Sequence, residues 1–266
     1  MYGIDISSWQ KGIDLFADEC EFVIMKATEG IGMVDNQLNN YVNQIKNSDK
    51  LFGLYHFARP DYNGTADGMV NEAKFFIKTI SSLPIYQNAI LVLDWETEPI
   101  NRPDLIRIWL NTVEELTGVK PFIYGSSSKL KGPAFAEFIG AYPIWMAAWP
   151  YKTPIYRCQP YPSGTLPSRE KLNWKIWQFS ANGRGFGISG AIDCDYTEMT
   201  REEWRSMTIS GASPNPMKED VCPEMQWAID AGIITGRQDG KYYPYDFMTR
   251  EEVCKVLYRY DKYRKK

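Results

Sequence analysis

Several residue types and patterns that define common protein classes are scarce in this sequence. Its 266 residues include a single histidine, His56, and five cysteines with no C-x-x-C pair. This composition argues against a histidine-rich metal centre, a zinc ribbon or a dithiol redox motif, so we expect no metal and no cofactor. We expect the cysteines to be mostly reduced, buried thiols. They are Cys20, Cys158, Cys194, Cys222 and Cys254.

Charge and hydropathy argue against two further classes. The formal net charge of -3 lacks the basic excess that favours nucleic-acid binding. The longest apolar run, residues 89–93, has the length of a strand and falls far short of the roughly 20 residues that cross a membrane. The chain opens on a strand-like segment, residues 2–7, so we expect no secretory signal peptide and no membrane insertion.

Strand-like and helix-like patterns alternate through the first 200 residues. Strands are predicted at 2–7, 22–28, 51–58, 88–96, 121–125, 143–148, 175–180 and 190–193. Helices are predicted at 36–48, 65–82, 102–117 and 128–139. This alternation favours a parallel sheet, and eight strands favour a closed barrel. Because the helical patterns stop after residue 142, we predict an α/β fold, a TIM-like barrel with trimmed last helices of the (β/α)5(β)3 type.

A small separate unit follows the predicted barrel. Residues 210–216, S-G-A-S-P-N-P, have the composition of a linker. We therefore predict a barrel domain over 1–209, this linker, and a small helical domain over 217–266. In that domain an apolar helical segment around Trp227 precedes a turn at Asp239-Gly240. A second helix then begins with a capping box formed by Thr249 and Glu252.

The sharpest local feature is the pair of acids Asp94 and Glu96 at the end of an apolar strand. Side chains two residues apart on a strand point to the same face, and in a barrel that face is the mouth where catalytic groups lie. Crowded carboxyl groups raise at least one pKa, as a general acid requires. An isolated D-x-E pattern is also compatible with a solvated strand end or with an ion pair to Lys26 or Arg59.

The ends of the other predicted strands carry further polar and aromatic residues. Asp5 ends the first strand and Asp193 the last, and these two strands are neighbours in a closed barrel. Near other strand ends lie Tyr55, His56, Tyr124, Trp149 and Gln178. We expect all of them to gather at one rim. His56 is interpreted as a rim contact, because the G-x-S-x-G motif of a serine hydrolase is missing from the sequence.

A series of motifs in this order resembles the family 25 glycoside hydrolases. They are G-I-D-I-S at 3–7, W-Q at 9–10, K-A-T-E-G at 26–30, G-L-Y-H-F at 53–57, L-D-W-E at 93–96, Tyr124, W-M-A-A-W at 145–149, W-Q-F-S at 177–180 and the segment 187–193. The resemblance covers residues 1 to about 207. These enzymes are lysozymes that hydrolyse the β-1,4 bond after N-acetylmuramic acid in peptidoglycan.

The resemblance implies a role for each matching residue. Glu96 would be the proton donor, and Asp94 would assist the substrate's acetamido group in attacking the anomeric carbon, with retention of configuration. Asp5 and Asp193 would line the site and tune its charge. Tyr55, Tyr124, Trp149 and Gln178 would contact the sugar. We expect Trp9, His56 and Lys26 to contact the substrate as well. One departure is Asp195, where the family commonly has Asn, so that this chain carries an added charge near the site.

Two alternative functions differ from this hypothesis at identifiable residues. A family 18 chitinase also ends a barrel strand in Asp-Trp-Glu, but it needs two further aspartates where this chain has Ala89 and Val92. A non-catalytic sugar-binding protein on the same scaffold would have no use for a buried pair of acids at 94 and 96. The acid pair therefore favours an enzyme.

The C-terminal unit resembles a single S-layer homology motif. The similarity lies in residues 227–236, in Asp239-Gly240, in Pro244 and in the segments 249–252 and 257–259. It implies binding to glycans of the bacterial cell wall; the alternative is a small dimerisation unit that makes the protein a homo-oligomer. An enzyme with such a tail is typical of a bacteriophage endolysin, with a bacterial autolysin as the alternative. We expect synthesis in a host cytoplasm and release to the wall by a holin-type route.

Overall fold

The computed structural model describes residues 1–150, 153–156, 166–211, 223–234 and 250–264. The chain divides into two compact units, Met1–Ser213 and Pro214–Lys266. The strands of the first unit are β1 (Tyr2–Ile6), β2 (Phe22–Glu29), β3 (Met33–Val34), β4 (Leu51–Phe57), β5 (Ala89–Asp94), β6 (Phe122–Ser126), β7 (Ile144–Ala147), β8 (Ile155–Tyr156), β9 (Trp174–Gly185) and β10 (Ile188–Thr197). Its helices are α1 (Leu38–Ile45), α2 (Pro60–Asn63), α3 (Ala66–Ile80), α4 (Pro103–Thr117), α5 (Ser127–Leu130) and α6 (Arg201–Ser206).

Eight of these strands close into a barrel. Their order is β1, β10, β9, β7, β6, β5, β4 and β2, and β2 pairs again with β1. The short strands β3 and β8 add to β2 and β9 outside this ring. In the described residues between β7 and α6 there is no helix. The prediction of a TIM-like barrel with trimmed last helices is confirmed.

Local sequence explains where the main helices begin and end. Thr65 caps α3 by accepting a hydrogen bond from the Gly68 amide. Pro103 occupies the first turn of α4, and Gly118 ends that helix with a φ of 74°. The predicted helix at 128–139 is wrong: α5 stops at Leu130, and a 3-10 turn covers Pro133–Phe135. Pro133 holds the preceding Gly132 in an extended conformation, which interrupts the helix.

The last strand runs in the opposite direction to the prediction. The sequence predicted a parallel strand at 190–193, whereas β10 pairs antiparallel with both β1 and β9. Only Phe186 and Gly187 separate β9 from β10, and both have positive φ. A two-residue hairpin connects antiparallel strands, because a parallel strand needs a longer crossover. The structure therefore corrects the prediction that the sheet is fully parallel.

The inside of the barrel is apolar at its floor and polar at its mouth. On β2 and β5 an apolar interior residue precedes a charged one by two positions, as in Ile24 and Lys26 or Val92 and Asp94. The floor is packed tightly, since a Cβ on Gly3 would lie 2.4 Å from the Phe22 ring. Because β10 is antiparallel to its neighbours, it begins near the mouth, and its later residues lie closer to the floor.

The second unit contains two described helices, α7 (Pro223–Asp230) and α8 (Arg250–Arg264). Trp227 is half exposed and meets the edge of Tyr263, with ring centroids 5.7 Å apart. Val253 and Leu257 are exposed, and Ile233 is buried. The predicted linker after residue 211, the turn at 239–240 and the cap at 249 lie outside the described residues.

Two of the described cysteines match the prediction, and one does not. Cys20 and Cys194 are free and buried, whereas Cys254 on α8 is free and exposed. Cys158 and Cys222 lie outside the described residues. No helix in the described ranges combines the length and the apolar character needed to cross a membrane.

Candidate active site

A cavity opens at the carboxyl ends of the parallel strands. Nine of the eleven predicted site residues line it: Asp5, Trp9, Lys26, Tyr55, Asp94, Glu96, Tyr124, Gln178 and Asp193. The remaining lining residues are Ile6, Ser7, Gln10, Phe57 and Trp145. Closure of the barrel thus brings together side chains from all eight of its strands, β1, β2, β4, β5, β6, β7, β9 and β10.

Asp94 and Glu96 enter the cavity from the end of β5. Asp94 is the last residue of the strand, and Glu96 lies two positions further on. Trp95 between them is fully buried, and its indole donates a hydrogen bond of 3.2 Å to the Ile100 carbonyl. This alternation leaves both acids on the cavity side, as the spacing of two predicts.

Burial is the main influence on the titration of this acid pair. Burial raises the pKa of Asp94 well above its usual value, and the nearby Glu96 raises it further. Burial also raises the pKa of Glu96. Lys129 opposes the rise in both pKa values, and its ammonium donates a 2.8 Å hydrogen bond to the Glu96 carbonyl. Desolvation outweighs this cation, so the pair keeps a proton at a higher pH than free carboxyl groups do.

A chain of charged groups holds Lys26 at the edge of the cavity. The Lys26 ammonium lies 2.6 Å from Glu29 and 4.7 Å from the centre of the Phe57 ring. Glu29 also binds Arg59 at 2.5 Å, and Arg59 binds Asp61 at 2.8 Å. Lys26 therefore contributes a fixed positive charge that lowers the pKa of Asp94 against the effect of burial.

Gln178 on β9 connects three of the predicted contacts. Its Oε1 accepts hydrogen bonds of 2.9 Å from the Tyr124 hydroxyl and from the Trp149 indole. Its Nε2 donates a 2.7 Å bond to Asp5 Oδ2. Trp149 is outside the set of residues that line the cavity, but it is attached to the cavity wall through this amide. Two donors on one oxygen fix the amide with its nitrogen facing Asp5.

The wall formed by β10 carries two acids at different depths. Asp193 pairs with Asp5 at the mouth, and burial together with Glu96 raises the pKa of Asp193 to about 6. Asp195 lies one layer lower, is fully buried and accepts a 2.8 Å hydrogen bond from the Trp145 indole. Asp193 therefore does not end the last strand as predicted. It reaches the mouth because the strand begins there.

Two residues of the site, Asp195 and Trp145, are not among those predicted from the sequence. The sequence indicates Asp195 only as an added charge near the site and Trp145 only as part of the motif W-M-A-A-W. Strand alternation is the signal that identifies Asp195, because it is two positions from Asp193 and therefore shares its face.

His56 does not lie at the rim, so the prediction that it contacts substrate is wrong. Its neighbour Tyr55 faces the cavity, and alternation turns His56 outwards between the barrel and the helices. The ring is fully buried, bonded to Glu72 at 2.9 Å and to Thr28 at 2.8 Å, and stacked on Trp109. Burial lowers the pKa of His56 against the effect of Glu72, so the neutral ring serves packing between layers.

Trp9 presents an almost free aromatic surface beside the cavity. It is 90% exposed and lies in the short 3-10 helix Ser8–Gln10, directly after β1. Ser7 and Gln10 form a capping box, and Gln10 Nε2 donates a 3.0 Å bond to the Ala191 carbonyl. The backbone under this indole is therefore fixed, as an aromatic platform for a flat ligand requires.

Two family models match the chain. The model of the glycosyl hydrolases family 25 matches residues 4–188. The model of the S-layer homology domain matches residues 218–254, which confirms the resemblance predicted for the C-terminal unit.

Individual relatives agree with the first match. Lysozyme M1 of Streptomyces globisporus is 30% identical over 210 residues, which cover 72% of this chain and 65% of that protein. The protein YegX of Escherichia coli K12, described as uncharacterized, is 26% identical over 227 residues, which cover 81% of this chain and 76% of that protein. The structure of a bacterial lysozyme from Streptomyces coelicolor shares the fold, with a TM-score of 0.62 and 24% identity over 80% of this chain and 98% of that one.

The raised pKa of Asp193 leads to a stability prediction. The folded protein binds this proton more tightly than the unfolded chain, so the stability contributed by Asp193 falls as the pH rises from about 4 to about 6. We expect Asp193→Asn to raise the free energy of unfolding at neutral pH by up to about 3 kcal/mol, because one pKa unit corresponds to about 1.4 kcal/mol. Urea denaturation at neutral pH and below about pH 4 measures the difference.

The control is Asp49→Asn, a change of the same kind at an exposed position. It should leave the stability unchanged at both pH values. If Asp193→Asn raised the free energy of unfolding equally below about pH 4, the destabilisation could not be due to the ionised form of Asp193.

Proposed function

The chain belongs to family 25 of the glycosyl hydrolases, and we propose that it hydrolyses the β-1,4 bond between N-acetylmuramic acid and N-acetylglucosamine in bacterial peptidoglycan. The observation that carries this proposal is the pair Asp94 and Glu96, side by side in a cavity where burial raises both pKa values. A carboxyl group that stays protonated near neutral pH is the group that glycoside hydrolysis needs as its acid.

In the proposed mechanism Glu96 is the proton donor. It lies nearer to solvent than Asp94 and can give its proton to the glycosidic oxygen as the bond to the anomeric carbon breaks. The ionised Glu96 then takes a proton from the water that attacks the anomeric carbon in the second step. The Lys129 ammonium beside Glu96 favours the ionised form between the two steps.

Asp94 assists a nucleophile that belongs to the substrate. The carbonyl oxygen of the 2-acetamido group attacks the anomeric carbon while the glycosidic bond breaks, and a cyclic cation forms. Asp94 stabilises the developing charge, as a preorganised carboxylate does in a desolvated cleft. Water then opens the ring from the opposite side, so two inversions give net retention.

The other lining residues supply the binding surface for the glycan. Gln178 connects Tyr124 and Trp149 in one rigid polar unit, and Trp9 offers an exposed indole face at the mouth. Flat aromatic faces pack against the apolar faces of pyranose rings. Tyr55, Lys26 and the carboxyl groups of Asp5 and Asp193 complete the proposed contacts.

For the C-terminal unit we propose binding to cell-wall glycans, supported by the match to the S-layer homology domain over 218–254. Exposed apolar side chains on α8, including Leu257 and Tyr258, are also compatible with self-association into a homo-oligomer. The cellular role as a phage endolysin, and release to the wall by a holin-type route, remain predictions.

Glu96→Gln is the direct test of the proton donor. The change removes the transferable proton and keeps the shape of the side chain, so we expect lysis of bacterial walls to fall by about 10²–10⁴-fold with the fold intact. Turbidity loss of wall suspensions measures activity, and circular dichroism checks folding. Glu115→Gln, at an exposed position on α4, is the matched control and should lyse walls normally. Lysis by folded Glu96→Gln protein at the normal rate would exclude this role.

Substrate assistance predicts a requirement for the acetamido group. Asp94→Asn should reduce kcat severely, since it removes the charge beside the developing cation. A glucan of similar length without 2-acetamido groups should not be hydrolysed by the unaltered protein. Product analysis by mass spectrometry and by NMR of the new anomeric centre reports both outcomes. Comparable turnover of the plain glucan would point instead to a nucleophile supplied by the protein.

Removal of residues 212–266 tests the role of the tail. The truncated protein should hydrolyse soluble wall fragments within about twofold of the full chain, while its binding to whole walls weakens because a second binding site is lost. Wall pelleting measures affinity, and light scattering measures the oligomeric state. Equal wall affinity and a monomeric state for both proteins would show that the tail neither anchors nor assembles the enzyme.

A further inference from the structure

Asp195 occupies a buried position that the proposed mechanism does not use. It follows Asp193 by two residues on the interior face of β10, and its backbone pairs with Gly3 on one side and Gln178 on the other. Its side chain is fully buried. It therefore places an acid beneath the cavity, in a layer where the parallel strands carry apolar residues such as Ile24 and Val92.

The carboxyl group of Asp195 has an incomplete set of donors. Its Oδ1 accepts the Trp145 indole hydrogen at 2.8 Å, whereas Oδ2 is buried and receives no hydrogen bond from the described residues. Asp195 pairs with Gln178 across the sheet, and the Gln178 amide donates to Asp5, so the two carboxyl groups are neighbours in the barrel interior. Two carboxyl groups form a hydrogen bond only when one of them carries a proton, because ionised oxygens are acceptors alone.

Asp5 is held from its other side by an amide whose orientation is fixed. Gln178 accepts from Tyr124 and Trp149 through Oε1, so its Nε2 must face Asp5, to which it donates at 2.7 Å. In the part of the chain that the structure describes, neither Asp5 nor Asp195 has a cationic partner within ion-pair distance. A proton between the two acids is therefore the remaining way to satisfy both.

We infer that Asp195 is a positioning residue, which shares one proton with Asp5 and thereby fixes the Asp5–Gln178 hydrogen bond that orders the sugar-contacting wall. The pair then bears a single negative charge. The proton sharing follows from the contacts of these side chains, while the effect on sugar binding rests on the proposed function. Asp195 acts beneath the surface and does not touch the substrate itself.

Charged and titratable groups from several strands surround this pair. Asp193 is on β10, Tyr55 on β4, Tyr124 on β6 and Lys26 on β2, with Asp94 and Glu96 at the end of β5. Burial raises the pKa of Asp195 to about 8 and that of Asp5 well above its usual value. The shared proton is therefore bound at neutral pH and lost in alkali. Two adjacent negative charges then repel, and Asp5 loses its fixed position on Gln178.

The variant Asp195→Asn distinguishes proton sharing with Asp5 from a merely structural role of Asp195. The new amide can accept from Trp145 through its oxygen and donate to Asp5 through its nitrogen, so the geometry is kept without a shared proton. Infrared difference spectra near neutral pH should show the loss of one protonated-carboxyl band in Asp195→Asn. The same band should be lost in Asp5→Asn, and the double variant should lose nothing more.

The kinetic test follows KM for a soluble wall fragment as the pH rises. For the unaltered protein KM should rise about threefold to tenfold above about pH 8, the size of one lost hydrogen bond. In Asp195→Asn this rise should be absent, with kcat near neutral pH within about threefold of normal. Asp49→Asn is the matched control and should change neither the band nor the KM profile.

The two measurements overturn different parts of the inference. A carboxyl band that persists in Asp195→Asn would exclude the shared proton. Loss of the band with an unchanged KM profile would exclude the positioning role. If the protein failed to hydrolyse wall fragments at all, the proposed function would fall, and the infrared result would still decide whether Asp5 and Asp195 share a proton.

Discussion

The cost of removing carboxyl groups from water governs the organisation of this protein. Five acids, Asp5, Asp94, Glu96, Asp193 and Asp195, lie at or beneath one end of a barrel whose floor is apolar. Without compensating contacts all five would be protonated, because burying an isolated carboxylate costs far more free energy than burying the neutral acid. Hydrogen bonds from the Trp145 indole and the Gln178 amide, and the charges of nearby ammonium groups, stabilise the ionised acids. Protonation lowers the cost of burying the others. The chemistry of the cleft is a consequence of this distribution, because an acid that keeps its proton is available as a proton donor.

The sequence predicted the parts of this arrangement that depend on local pattern. Alternation along β5 placed Asp94 and Glu96 on one face, and the repeated strand and helix patterns predicted the closed barrel. The prediction from the sequence was wrong for side chains whose environment depends on other elements of the fold. His56 follows Tyr55 at a strand end, and its side chain points away from the cavity, where it forms a buried hydrogen bond with Glu72. The sequence gives no sign of this bond, because Glu72 lies on a helix 16 residues further along the chain.

The direction of β10 shows a second kind of limit. The short segment 190–193 has the pattern of a strand, but its direction is set by the turn before it, where Phe186 adopts a φ of 52°. A phenylalanine gives no hint of the left-handed conformation that usually favours glycine or asparagine. The prediction that Asp193 lies at the mouth is correct, although it assumed that Asp193 ends a parallel strand, whereas the residue lies within an antiparallel one. The sequence could not place Asp195 below Asp193.

The pairing of β1 with β10 has a consequence for how the enzyme comes into being. Ile4 and Cys194 are paired neighbours in the barrel, although almost the whole domain separates them along the chain. Contacts between such distant segments form slowly, because a long loop must close before any interaction compensates the lost entropy. We expect ring closure to be a late event in folding. Asp5 and Asp193 meet only at that step, so a nascent or partly folded chain has an incomplete cleft, and the ability to attack a glycan arises together with the finished barrel.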